Sequence, residues 1–252
     1  MHGNIDLEIC CGDPLSVFEA KKGGAKRIEL CSGLSEGGLT PSISMIERAV
    51  ESGIPQVNIL IRPRRGDFYY SSEEISLMKS DITHAVRAGA GGVVIGALTP
   101  SGDVDTEVMK RLIEAAKSER EDTHITFHRA FDLSNDYSKA LEEIIKLGCD
   151  TLLTSGMAPD AFLGIETLKK LVSQADSRIS IMAGGGINTS NILEIIRHTG
   201  VKSVHTTARK LLRSRMIFRR PDVSMSSSGE EEYGFLTTNA DIVSTLIQLI
   251  EQ

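Results

Sequence analysis

Short apolar runs rich in β-formers alternate with longer amphipathic runs along the whole chain, and this alternation constrains the fold more than any other feature. Strand candidates lie at 7–10, 27–31, 56–62, 92–97, 124–128, 151–154, 178–182 and 202–205. Gly, Pro, Ser or Asp bounds each one, as expected of strands buried on both faces of a parallel sheet. Helical patterns fall between them at 14–23, 42–52, 72–89, 106–118, 136–148, 161–175, 189–200 and 239–250. Several open on a capping residue (Asp13-Pro14, Ser72, Asn188) and several close on glycine. Eight strand–helix units of about 31 residues each fill the 252 residues, which predicts an α/β chain folded as one (β/α)8 TIM barrel over 1–252. A doubly wound dinucleotide-binding sheet would carry Gly-x-Gly-x-x-Gly after its first strand, where this chain has Cys11-Gly12-Asp13-Pro14. The repeat falters only at 213–238, expected to be a long loop between the last strand and the last helix, serving as a lid, an oligomer contact or a solvated excursion.

Composition narrows the function classes. A net charge of −6 (28 Lys+Arg against 34 Asp+Glu) argues against a general nucleic-acid binder. No apolar run approaches the roughly 18 residues of a membrane span. The first residues lack a basic start followed by an apolar stretch, so a cytoplasmic location is expected. Cys10, Cys11, Cys31 and Cys149 show no zinc-finger spacing and are expected to be free thiols.

Barrels of this kind place their sites at the C-terminal ends of the strands. Those ends carry Glu8 with Cys10, Glu29 with Cys31, Arg62, His128, Gly184-Gly185-Gly186, and His205 followed by Arg209. Residues two apart on a strand share a face, so Glu8 and Cys10 point the same way, as do Glu29 and Cys31. Two soft thiolates brought together in a reducing compartment suit Cu(I), although buried cysteines also serve as small apolar core residues. Glu8, Glu29, Arg62, His128 and His205 are candidate catalytic residues, with carboxylates and imidazoles as acids, bases or electrophiles. A structural network between the glutamates and arginines such as Arg62 is the competing reading. Gly184, Gly185, Gly186 and Arg209 are candidates for an anion site, helped by a helix expected to begin near Thr189.

Longer motifs give a resemblance. Arg27-Ile28-Glu29-Leu30-Cys31-Ser32-Gly33, Glu36-Gly37-Gly38-Leu39-Thr40-Pro41-Ser42, Arg62-Pro63-Arg64, Gly66-Asp67-Phe68, Thr126-Phe127-His128-Arg129-Ala130-Phe131-Asp132 and Leu153-Thr154-Ser155-Gly156 together resemble the CutC family, named for copper homeostasis. The resemblance runs from Leu7 to the last helix. It implies a cytosolic (β/α)8 barrel that forms a homo-oligomer, a dimer or tetramer. It also implies Cu(I) bound through Cys10 and Cys31. Two departures stand out: Arg65 replaces a glycine of the family pattern, and Thr206-Thr207 replaces a pair of serines. Two functions follow as expectations: copper binding in copper homeostasis, or an enzyme acting on a small, oxygen-rich, anionic substrate at the strand ends.

Overall fold

The computed structural model describes residues 5–220, 222–223 and 232–251. Eight parallel strands close into a barrel in sequence order: β1 (Asp6–Cys11), β2 (Arg27–Leu30), β3 (Gln56–Leu60), β4 (Gly92–Ile95), β5 (His124–Phe127), β6 (Thr151–Thr154), β7 (Ser180–Gly184) and β8 (Ser203–Thr206). The helices α1 (Pro14–Lys22), α2 (Ile43–Glu51), α3 (Ser72–Arg87), α4 (Thr106–Glu119), α5 (Tyr137–Lys146), α6 (Ile165–Ala175) and α7 (Ile192–Thr199) each follow a strand. A ribbon of β9 (Arg209–Arg213) and β10 (Gly234–Thr238) then precedes α8 (Ala240–Ile250).

Side-chain alternation divides the core in two. Ile9, Ile28, Ile59, Val93, Ile125, Leu152, Ile181 and Val204 point outward and pack with the helices in one large cluster. The inward set is smaller and more polar, with Cys10, Cys31, Leu60 and Val94 forming its apolar part. A barrel interior filled by side chains is a packed core rather than a pore. Local signals set the helix starts. Asp13 accepts from Ser16 N at 2.9 Å ahead of Pro14, and Ser71 with Glu74 forms a reciprocal capping box on α3.

The structure moves several expected boundaries, among them the start of α6, at Ile165 instead of 161, and the ends of β3 and β4, each two residues early. The seventh strand runs Ser180–Gly184, two residues later than expected, so Gly184 is its last residue and lies outside the loop. The helix expected near Thr189 begins at Ile192. Asn188 and Asn191 cause the delay: Asn188 Oδ1 accepts from Ser190 N and Asn191 Oδ1 accepts from Asn188 N, both at 2.9 Å. These side chains satisfy amides that a helix would otherwise use. The expected loop at 213–238 ends in a strand, because β10 pairs antiparallel with β9 from Gly234↔Arg213 to Thr238↔Arg209. The Ser/Gly run and the acidic residues at 224–231 lie outside the described residues. The ribbon docks on α1 through Thr237, whose hydroxyl lies 3.0 Å from Ser16 Oγ and donates to Asp13 at 3.2 Å. Leu211, Leu212, Phe235 and Leu236 of the ribbon are exposed. No described helix is long and apolar enough to cross a membrane.

Candidate functional site

A cavity of about 330 Å³ opens at the C-terminal ends of the strands. Of the expected residues, Cys10, Glu29, Arg62, His128, Gly185, Gly186, His205 and Arg209 line it. Glu8, Gly184 and Cys31 are not among its lining residues.

Glu8 sits one layer deeper. Two residues span about 6.6 Å along the strand, so Glu8 lies beneath Cys10 rather than beside it. It is 1% exposed. His205 Nδ1 lies 2.9 Å from Glu8 Oε1, Asn58 Nδ2 donates to Oε2 at 2.8 Å, and Arg27 Nε lies 3.2 Å from Oε2. Burial acts to raise the Glu8 pKa, but the His205 hydrogen bond, the Arg27 charge and Asn58 outweigh it and hold the carboxyl down at about 2. Glu8 therefore orients His205 as a buried carboxylate. Burial disfavours a charged His205, yet the acidic groups around it, Glu29 and Glu8, raise its pKa well above the usual histidine range.

The barrel stagger sets the next layer. Cys10 is level with Glu29 on β2, and Cys31 follows one layer up, just past the strand end. The two sulfurs stand 3.7 Å apart. Cys10 Sγ also donates toward Glu29 Oε1 at 3.6 Å. Donor atoms of Cys10, Glu29 and His205 all lie within 4.8 Å of one another. The Cys10 thiol is held well above its usual pKa by its bond to Cys31 and by burial. Burial also raises Glu29 to about 7, against the pull of His205. Gly38 closes over Cys31: a Cβ there would stand 3.8 Å from the sulfur and 2.7 Å from Leu60 Cδ2. Cys11 points into the outer core, and Cys149 is buried there too.

Across the cavity, His128 Nδ1 accepts from Ala130 N at 3.2 Å, which leaves the ring proton on Nε2. Burial, helped by the Arg62 charge, pushes the His128 pKa down to about 3, so the ring is neutral at physiological pH. Arg62 does not pair with either glutamate. Its guanidinium donates to the carbonyls of Glu36, Gly38 and Gly66 at 2.9–3.0 Å and stacks 5.0 Å from the Phe68 ring. The glutamate's arginine partner is Arg27, which the sequence reading passed over along with Asn58. The signal was present, since Arg27, Glu29 and Cys31, and Gln56, Asn58 and Arg62, recur on one parity of their strands.

Arg129, Phe68 and Thr207 also line the cavity. Arg129 donates to Asp132 at 2.7 Å and to Ser155 at 2.8 Å. Gly184 closes β7 beside His205. A Cβ there would meet Leu153 at 2.5 Å and His205 at 3.3 Å, so glycine makes room for the histidine.

The CutC family profile matches residues 5–210. A CutC protein of Vibrio campbellii is 43% identical over 244 residues, spanning 97% of this chain and 98% of the relative. The chain belongs to the CutC family. A CutC protein of Parabacteroides distasonis is 46% identical over 224 residues, 88% of this chain and 90% of the relative. The crystal structure of the putative copper homeostasis protein CutC from Streptococcus agalactiae is 33% identical, with a TM-score of 0.75 over 81% of this chain and 98% of that one. A thiamine phosphate pyrophosphorylase from Pyrococcus furiosus, 19% identical with a TM-score of 0.57, shares the fold alone.

Proposed function

We propose that this CutC chain binds one Cu(I) ion through Cys10 and Cys31, with His205 as a third donor, in copper homeostasis. The observation that carries this reading is the 3.7 Å spacing of the two sulfurs. With metal–thiolate bonds near 2.3 Å, one ion can touch two sulfurs up to about 4.6 Å apart. Thiolates and imidazole are the donors a soft monovalent copper ion favours. His205 has Nδ1 committed to Glu8 at 2.9 Å, which leaves Nε2, once the metal displaces its proton, as the ligating nitrogen. A carboxylate behind a histidine is the usual support of a metal-binding imidazole. Glu29 Oε1, 3.6 Å from the Cys10 sulfur, can take the thiol proton that the metal displaces.

The four cysteines are free thiols, which supports a reducing, cytoplasmic setting. The exposed Leu211, Leu212, Phe235 and Leu236 of the ribbon support self-association, to be read by light scattering on the purified protein.

Competition with a chromophoric Cu(I) chelator under reducing conditions tests the copper site. One equivalent per chain is expected, lost in the Cys10→Ser, Cys31→Ser double variant. Unchanged affinity in that variant removes the sulfur pair from the account.

A further inference from the structure

The copper reading leaves a set of polar atoms around the cavity without a role. Glu29 Oε2, His128 Nε2 and Arg62 Nε are buried with no hydrogen-bond partner. Their residues are only 5%, 4% and 7% exposed, and all three line the same cavity. A polar atom buried without a partner carries an uncompensated desolvation cost. Three such atoms around one cavity point to a ligand that supplies the partners.

The opposite rim supplies a second observation. In a trans peptide the C=O and the next N–H point in opposite directions. Gly185 O accepts from Ala161 N at 2.9 Å. Gly186 O accepts from the side chains of Asn188 and Asn191, both at 3.0 Å. These carbonyls are thus drawn toward the loops outside the barrel, and the amides of Gly186 and Ile187 face away from those loops. Among the described residues neither amide donates to a protein acceptor. Left-handed backbone at Gly185 (φ 100°) and Gly186 (φ 71°) builds this turn, and only glycine adopts it without strain. Arg129 flanks it, since a Cβ on Gly185 would lie 3.4 Å from the Arg129 NH1 nitrogen. Arg209, tethered to Thr207 Oγ1 at 3.2 Å, closes the rim.

We propose that this cavity binds a small phosphorylated polyol. Its phosphoryl group rests on the Gly186 and Ile187 amides between Arg129 and Arg209. Its hydroxyl-bearing end meets His128 Nε2–H and Glu29 Oε2. Two amides and two guanidinium groups offer more donors than the two oxygens of a carboxylate accept, whereas a phosphoryl group brings three acceptor oxygens. The loops after the seventh and eighth strands are where barrels of this type commonly hold phosphate. A volume of about 330 Å³ falls at the small end of ligand pockets, which limits the occupant to a few carbons. The neutral His128 ring serves as a donor to a hydroxyl or carbonyl oxygen. The copper site shares the cavity wall through Cys10, Glu29 and His205, but the phosphoryl cradle of Gly186, Ile187, Arg129 and Arg209 uses no copper donor, so this inference does not rest on the copper reading.

The test is calorimetry on the reduced, copper-free full chain with glycerol 3-phosphate, inorganic phosphate and glycerol, alongside ¹H–¹⁵N spectra. The ester is expected to bind most tightly, glycerol not at all, and the Gly186 and Ile187 amides to shift on titration. Arg209→Gln is expected to weaken the ester about tenfold. Cys31→Ser is expected to keep ester affinity within about twofold while weakening copper binding, so the two sites fail separately. Shifts confined to other amides, or an ester that binds no better than glycerol, overturns the proposal. Inorganic phosphate binding as tightly as the ester overturns the polyol end.

Discussion

Glu8→Gln removes the one charge that organises the lower part of the site, and its cost follows from the contacts. The variant keeps the Asn58 hydrogen bond, made at 2.8 Å in the parent. It loses the Arg27 ion pair at 3.2 Å and the charged bond to His205 at 2.9 Å. Removing one partner of a buried ion pair, which leaves Arg27 partly uncompensated, together with the charged bond to His205, gives a loss of about 3–5 kcal/mol. Unfolding entropy of about 2.1 cal/mol/K per residue over 252 residues is about 0.53 kcal/mol/K, so Tm should fall by about 6–9 °C. The deficit should also depend on pH. Glu8 is held down at about 2 from the ordinary carboxylate value of 4.5, so its contribution is complete above the unfolded pKa and is lost as pH falls through the folded one. Parent and variant should therefore converge between about pH 4.5 and 2. His205 should titrate lower in the variant, because Glu8 is one of the groups that raise it. Calorimetric Tm across pH, with NMR titration of the His205 ring, reads both effects. A Tm change under about 2 °C with an unmoved His205 titration would refute the network as described.

Three further outcomes are expected. His128 is pushed down to about 3 by burial, so its ring should show no protonation above pH 5 by NMR. The stability it contributes should be full above about 6.5 and fall as acid protonates the unfolded chain preferentially. Gly164→Ala should unfold the turn after β6, because its Cβ would fall 1.8 Å from the Ser155 carbonyl oxygen; a Tm within about 2 °C of the parent contradicts that packing. Copper uptake should release the Cys10 proton, since that thiol sits well above its usual pKa, so chelator competition should show affinity rising about tenfold per pH unit for each proton released.

The barrel was legible because its signals are local and repeated. Outward residues such as Ile9, Ile28, Ile59 and Val93 alternate with the inward set, and capping residues such as Asp13 mark helix starts. The ribbon was not legible, because Arg209–Arg213 pairs with a strand more than twenty residues away and only tertiary contact reveals it. The site was readable in its residue types but not in its depth. Period-two alternation gives the face on which Glu8 and Cys10 lie. It does not give the stagger between strands that sets Cys10 level with Glu29 and sinks Glu8 below the cavity. The delayed start of α7 came from two asparagine side chains whose local bonds mimic a helix start.

Copper K-edge X-ray absorption on the reduced chain loaded with one equivalent of Cu(I) tests the central claim most directly. The sulfurs at 3.7 Å and the neighbouring His205 predict a spectrum with two sulfur scatterers and one nitrogen scatterer, and the Cys31→Ser variant should lose one sulfur. A spectrum of nitrogen and oxygen scatterers alone, or one unchanged by Cys31→Ser, would contradict the account.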